Sequence, residues 1–255
     1  MEITSNTSAI VTGGASGLGA TVATALAARG IKVALLDMNA EAGEKLATEL
    51  GGVFCQTDVS DADSVTAALA KARAANGQER ICVNCAGIAP AAKTVSRGAA
   101  HDFALFQKVI NINLCGTFNV ASQSALGMSN ADALNNDNER GVIINTASVA
   151  AFEGQMGQAA YGASKGGVHA LSIPMARDLA KSGIRVLAIA PGIFATPMVT
   201  AFPQEVQDSL ATNIPFPNRL GAPEEFAKLV IAMIENAYLN GETIRLDGAT
   251  RMQPR

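Results

Sequence analysis

The chain has 255 residues, 49 % of them hydrophobic and 16 % charged, enough apolar content for the core of one large α/β domain or two small ones. A formal charge of −3 gives no general attraction for nucleic acid or an anionic membrane, and the basic end (Arg245, Arg251, Arg255) is three scattered charges of the kind that usually face water. No run of about 18 apolar residues is present to span a bilayer, and the polar segment Met1 to Thr7 lacks the basic region and apolar core of a leader, so the cytoplasm is the expected location.

Ser8-Ala9-Ile10-Val11-Thr12 reads as a short strand that runs into Gly13-Gly14-Ala15-Ser16-Gly17-Leu18-Gly19. The alanine-rich stretch Ala20 to Arg29 reads as a helix ended by Gly30, and Lys32 to Leu36 as the next strand with Asp37 at its end. Strand, glycine turn, helix, strand and acid make a βαβ unit. Glycines there let the backbone turn sharply and approach a pyrophosphate, at which the following helix points its free N–H groups. The spacing is G-x-x-x-G-x-G, with the acid 18 residues after Gly19. An aspartate in that place accepts hydrogen bonds from adenosine ribose hydroxyls and repels a 2′-phosphate. With no Arg or Lys at Ala15, Ser16 or Met38 to receive that phosphate, NAD is expected over NADP.

Farther on, the pattern predicts a helix from Ala40 to Leu50, a strand from Val53 to Gln56 and a helix from Ser60 to Ala75. Asp58, between them, either faces the adenine edge or caps the helix. A strand from Ile81 to Cys85 ends at Ala86-Gly87, a long helix over Phe103 to Met128 carries Asn113, and Ser129 to Gly141 is loop-like. Cys82 and Cys85 form a C-x-x-C, but residues three apart on a strand point to opposite faces, so the pair reads as core thiols rather than a redox or metal site. Val142 to Ile144 is a buried strand, Ala159 to Ala180 a long helix, Val186 to Ala190 a strand ending at Pro191-Gly192, Pro223 to Ile234 a helix and Glu242 to Leu246 the last strand. Strands and helices alternate without linker or repeat, so residues 1–255 are expected to form one doubly wound parallel sheet of about seven strands with helices on both faces, a Rossmann-type α/β domain.

Tyr161 and Lys165, four residues apart, share one face of the long helix, and Ser148 sits on the loop entering it. A phenol beside an ammonium suggests a proton donor and acceptor whose pKa the positive charge lowers, and a serine hydroxyl can hold an oxygen that gains charge. An ordinary packed phenol and solvated ammonium would show the same spacing.

Taken together, Thr12-Gly13-x-x-x-Gly17-x-Gly19, Asn84-Cys85-Ala86-Gly87, Asn113, Ser148, Tyr161-x-x-x-Lys165 and Pro191-Gly192 resemble the short-chain dehydrogenases/reductases over essentially the full length. Cys85 stands where that family usually has a second Asn. The resemblance implies Tyr161 as general acid/base, Lys165 lowering its pKa and holding the nicotinamide ribose, Ser148 orienting the substrate oxygen, and Asn113 holding a water that links Lys165 to solvent. It implies cofactor contacts at Ser16, Leu18, Asp37, Asp58, Val59, Cys85, Gly87, Phe194 and Thr196 besides the glycines, with a substrate-side role for Gln155.

The stretches Val142 to Gly167, Pro215 to Gly221 and Asn240 to Ala249 are most similar to members acting on 3-hydroxyacyl-CoA. The expected reaction is NAD-dependent interconversion of 3-hydroxyacyl-CoA and 3-oxoacyl-CoA. A hydroxysteroid or other secondary alcohol dehydrogenase and a non-catalytic NAD-binding scaffold are the alternatives. Ile193, Phe194, Met198, Val199, Phe202, Leu210, Ile214 and Phe216 make the segment 192–216 an apolar lid, or a segment packed on its own protein. Lys93 and Arg97 lie near the site, where they could meet CoA phosphates or simply face water. No metal-ligand cluster is visible, His101 and His169 match no family role, and the expected partners are a small-molecule substrate and, by resemblance, a homotetramer, without nucleic acid or membrane.

Overall fold

Short β-branched runs bounded by glycine and polar residues pair here as parallel strands, each fed by a helix that packs back on the sheet. The computed structural model describes residues 1–4 and 6–254, without the side chain of Met198; Arg255 lies outside them. Strands β1 (Ser8–Thr12), β2 (Lys32–Asp37), β3 (Val53–Gln56) and β4 (Ile81–Asn84) come from the first half of the chain. A two-stranded hairpin, β5 (Val95–Ser96) and β6 (Ala99–Ala100), follows, and β7 (Gly141–Thr146), β8 (Ile184–Pro191) and β9 (Thr243–Leu246) complete the set. The sheet has seven strands in the order β3-β2-β1-β4-β7-β8-β9, and every pairing within it is parallel.

Helices cover both faces. Helices α1 (Gly17–Ala27), α2 (Ala40–Leu50) and α9 (Pro223–Glu235) bury Val22, Leu26, Ala47, Phe226 and Val230 against one side. Helices α3 (Ala62–Asn76), α5 (Gly116–Ser129) and α6 (Ala159–Asp178) bury Val65, Leu69, Val120, Met128 and Met175 against the other. The period of two along a strand divides the cores: Ala9 and Val11 of β1 enter the first and Ile10 the second. Helix starts carry side-chain caps: Asn39 accepts from Ala42 N–H at 3.2 Å and Asp61 from Ser64 N–H at 2.8 Å.

Because β1 lies between β2 and β4, the connections leave it in opposite directions and open a crevice at the carboxyl ends of β1 and β4. Thr12 Oγ1 ties the crevice floor together by accepting the N–H groups of Cys85 and Ala86 at 3.1 and 3.2 Å.

Two local features differ from the expected elements. The single helix expected over Phe103 to Met128 is α4 (Phe103–Ile110), one π-helical turn (Asn111–Cys115) and α5, a widening that falls on Asn113. The hairpin β5–β6 was not visible as strands, because two-residue strands carry no periodicity. Its turn residues Arg97 and Gly98 have φ of 51° and 76°, positive at both central positions as a tight hairpin with right-handed twist requires. Among the described residues no helix is long and apolar enough to cross a membrane.

Candidate active site

The crevice opens into a cavity of about 1090 Å³ whose walls come from the carboxyl ends of β1, β2, β4, β7 and β8. The glycine turn forms one end. Gly13 and Gly17 hold φ of 63° and 54°, a backbone that favours glycine. A Cβ on Gly13 would stand 2.8 Å from Ala86 N, and one on Gly19 would overlap the Gly13 carbonyl. The first turn of α1 has neither an acidic residue nor a side-chain cap, so its N–H groups remain for an anion. Asp37, at the end of β2, accepts Ala15 N–H on one carboxylate oxygen and Asn39 N–H on the other, both at 3.0 Å. Each oxygen keeps a lone pair for a ribose hydroxyl.

Every residue assigned to the cofactor from sequence lines this same cavity. Gly13, Ser16, Gly17, Leu18, Gly19 and Asp37 lie at one end; Asp58, Val59, Cys85 and Gly87 follow along β3 and β4. Ser148, Tyr161, Lys165, Pro191, Phe194 and Thr196 lie there as well. Asp58 also caps locally, accepting Ser60 N–H and Oγ–H at 2.9 and 2.6 Å. The glycine cradle, free helix N–H groups and acid fit the pyrophosphate and ribose of a dinucleotide.

Strand β7 delivers Ser148. Its Oγ accepts Ala150 N–H at 3.1 Å, which leaves the hydroxyl proton to donate on the cavity side, toward the Tyr161 phenol or a substrate oxygen. Helix α6 brings Tyr161 and Lys165 to the same wall, the ammonium 5.9 Å from the phenol ring centre. Lys165 is 4 % exposed, and its Nζ donates to the Thr146 carbonyl at 2.6 Å. A Cβ at Gly87 would lie 3.6 Å from that Nζ and 3.2 Å from Asn113 Oδ1, so glycine keeps this corner open.

The electrostatics differ from the sequence expectation. Burial pushes the Tyr161 phenol up from its ordinary range, with the Ser148 hydroxyl working against the shift. Burial also lowers Lys165 to about 8. Dehydration penalises both charged forms, and the one influence opposing it on the phenol is the Ser148 hydroxyl.

The part expected of Asn113 also changes. Its side chain is fully buried; Nδ2 donates to the Ile88 carbonyl at 2.9 Å and to Ser164 Oγ at 3.0 Å, and Oδ1 accepts Ile88 N–H at 2.8 Å. Both amide hydrogens are spent on fastening the loop after β4 to α6, so a water at this corner has only oxygen lone pairs to bind. Gln155 lies outside the main cavity. It lines a neighbouring cleft of about 460 Å³ with Lys93 and Val95, and its Nε2 donates to the Gln253 carbonyl at 2.9 Å. Gln158 lines both spaces. Gln158 and Met252 are cavity residues that the sequence reading missed; neither sits at a patterned spacing.

The two cysteines of the C-x-x-C part as expected. Cys82 packs in one core and Cys85 against the other, and burial raises both thiols, Cys85 to about 11. Above the cavity, the apolar segment 192–216 contains α7 (Pro197–Thr200) and α8 (Gln204–Thr212). Its ends are anchored: Phe194 packs edge-on against Phe226 with ring centres 6.2 Å apart, and Ile214 is buried. Its middle is not, since Phe202 is 49 % exposed and Val206 42 %.

Comparison with known proteins agrees with this geometry. The short chain dehydrogenase family model matches residues 7–207. The chain is 53 % identical to 3-hydroxyacyl-CoA dehydrogenase type-2 of Bos taurus, over 96 % of this chain and 95 % of that protein. It is 52 % identical to the protein of the same name from Drosophila melanogaster, over 98 % and 99 % of the two chains. A crystal structure of 3-hydroxyacyl-CoA dehydrogenase type-2 from Mycobacterium avium superposes with a TM-score of 0.94 at 43 % identity, covering 100 % of both chains. The chain is an oxidoreductase that belongs to the short-chain dehydrogenase family.

Proposed function

We propose that the protein interconverts 3-hydroxyacyl-CoA and 3-oxoacyl-CoA with NAD as its cofactor. The observation that carries the reading is one cavity onto which the glycine cradle, Asp37, Ser148, Tyr161 and Lys165 all open. The names of the relatives supply the substrate class. The nicotinamide, when bound, accepts or gives the hydride at the carbon bearing the substrate oxygen. Tyr161 gives a proton to that oxygen on reduction and takes one from the hydroxyl on oxidation. A phenol held protonated by burial suits the donor role, and Ser148 donates a second hydrogen bond to the same oxygen. Lys165 has donors left beyond its bond to Thr146 for ribose hydroxyls, and an ammonium near 8 can pass protons at working pH.

Asp37 supports NAD over NADP by charge and by its acceptor oxygens. The whole chain acts as one NAD-binding domain with its cover at 192–216, and Lys93, which lines the cleft, and Arg97, in the nearby hairpin turn, are the cations that would meet CoA phosphates. The family likeness points to a homotetramer, which sedimentation of the purified protein checks.

The test is initial rates of NADH oxidation with acetoacetyl-CoA, beside NADPH and beside a steroid ketone. Rapid NADH-dependent reduction of the thioester supports the reading. Turnover of the steroid alone would replace the substrate class and leave the catalytic residues in place, and NADH binding without any turnover would turn the chain into a scaffold.

A further inference from the structure

After β9 the backbone reverses sharply at Gly248 and Ala249, whose φ values are 57° and 65°, and returns toward the cavity. The returning segment is held at several points. Arg245 donates to Glu153 at 2.8 and 3.3 Å, to Asp247 at 2.8 Å and to the Thr250 carbonyl at 3.1 Å. The guanidinium also lies 5.2 Å from the ring centre of Phe152. Glu153 accepts Met252 N–H at 3.0 Å, Gln155 donates to the Gln253 carbonyl at 2.9 Å and Met156 N–H to the Pro254 carbonyl at 3.0 Å. Both partners of this clamp belong to the site's own framework, because Phe152 to Met156 is the loop between Ser148 and Tyr161. Thr250 is buried, Arg251, Gln253 and Pro254 are exposed, and Met252, partly buried, is the one residue of 252–254 that lines the cavity with Ser148 and Tyr161.

We propose that Met252 sets how much bulk the substrate can carry beyond the reacting carbon, with Glu153 and Arg245 as the positioning pair that fixes it there. A thioether on three rotatable bonds adapts to short apolar groups and obstructs large rigid ones. The proposal deepens the reading of an apolar carbonyl substrate but does not depend on the CoA portion.

The experiment compares wild type, Met252→Ala, Met252→Trp and Glu153→Gln on two homologous series, 3-oxoacyl-CoA thioesters and CoA-free methyl ketones, each from short to long or branched. NADH Kd serves as the control for the cofactor end. Met252→Ala is expected to raise kcat/KM for bulky over short substrates by about tenfold or more, and Met252→Trp to lower it by a similar factor. Glu153→Gln moves the ratio the same way as Met252→Ala by a smaller factor, in KM rather than in kcat. A ratio that stays within about twofold in both Met252 variants, or an equal loss on all substrates with a lowered Tm, overturns the proposal. If wild type ignores the thioesters but reduces the ketones, the CoA reading fails while the ketone ratio still decides the role of Met252. If neither series reacts, binding of the ketones to the NADH complex, read by NADH fluorescence, gives the same ratio.

Discussion

The floor of the site and its cover are built on opposite terms. On the floor, the groups proposed for chemistry are held by buried structure: β7 is buried throughout and Ser148 follows two residues after its end, while Lys165 of α6 is bonded to the Thr146 carbonyl that ends the same strand. In the cover, α8 has no buried residue, and Phe202 and Val206 turn apolar surface to water. Proton transfer needs atoms fixed to a fraction of an ångström, so it is placed where packing over-determines each rotamer. Enclosing a greasy substrate needs apolar surface not already spent on the fold, and that surface belongs to the least stable part of a structure.

The largest effect should come from the floor. Tyr161→Phe keeps the ring and removes the proton, so turnover should fall about 10³-fold with NADH Kd and Tm held near wild type. Full activity in this variant would remove Tyr161 from the mechanism. Next comes the anchor that joins floor and cover. Phe194→Ala empties a buried site against Phe226 and should cost about 3–5 kcal/mol by chemical denaturation. A negligible loss there would mean that the cover is not anchored at its first end.

Asp37 belongs to the floor, and its proposed part concerns the cofactor rather than the reacting carbon. Asp37→Asn keeps the acceptor toward the glycine turn and removes the charge, so the preference for NADH over NADPH should narrow by roughly tenfold, a charged hydrogen bond being about 1.5–3 kcal/mol. An unchanged ratio would show that selectivity lies elsewhere.

Burial of Lys165 gives a smaller effect with a definite sign. Between about 8 and its ordinary 10.5, Lys165 binds fewer protons folded than unfolded, so it adds stability as pH rises through that window, while its full burial cost is felt below 8. The buried thiols Cys55, Cys82 and Cys85 act oppositely, since they hold protons that the unfolded chain gives up. The quantity to measure is therefore the stability of wild type minus that of Lys165→Met, which should rise by about 1.5 kcal/mol from roughly pH 8 to 9.5. A flat difference would mean that Lys165 keeps an ordinary pKa despite its burial.

Most of the floor was legible in the sequence and little of the cover was. Strand, glycine turn and Asp37 are local patterns with a steric reason behind each residue, so they could be read without neighbours. The pairing of Tyr161 with Lys165 follows from helical pitch. The state of that pair could not be read, because burial moves both groups toward their neutral forms, and how much water the fold removes is a tertiary property. Asn113 could be singled out in the sequence, but that its amide is used up on Ile88 and Ser164 depends on a π-turn with no sequence mark. Met252 and Gln158 reach the cavity only through tertiary routing, the first through a return of the chain after its last strand. Within the cover, composition gave the apolar residues but could not divide Phe194 and Ile214, which are buried, from Phe202 and Phe216, which are not.

That division yields the smallest prediction and the one that tests the contrast most directly. Phe202→Ser removes apolar surface that the free protein exposes, so its stability should stay within about 0.5 kcal/mol of wild type. If the cover closes on substrate, the same change removes a contact made only in the complex. KM for a long acyl chain should then rise several-fold, by about 1 kcal/mol for a partly buried ring, while KM for a short ketone changes less. Equal KM changes for both substrates would show that Phe202 shapes the free cover rather than gripping the chain. A fall in stability with no change in either KM would show that the ring packs on its own protein in solution, and the contrast between an anchored floor and an uncommitted cover would then end at Phe194.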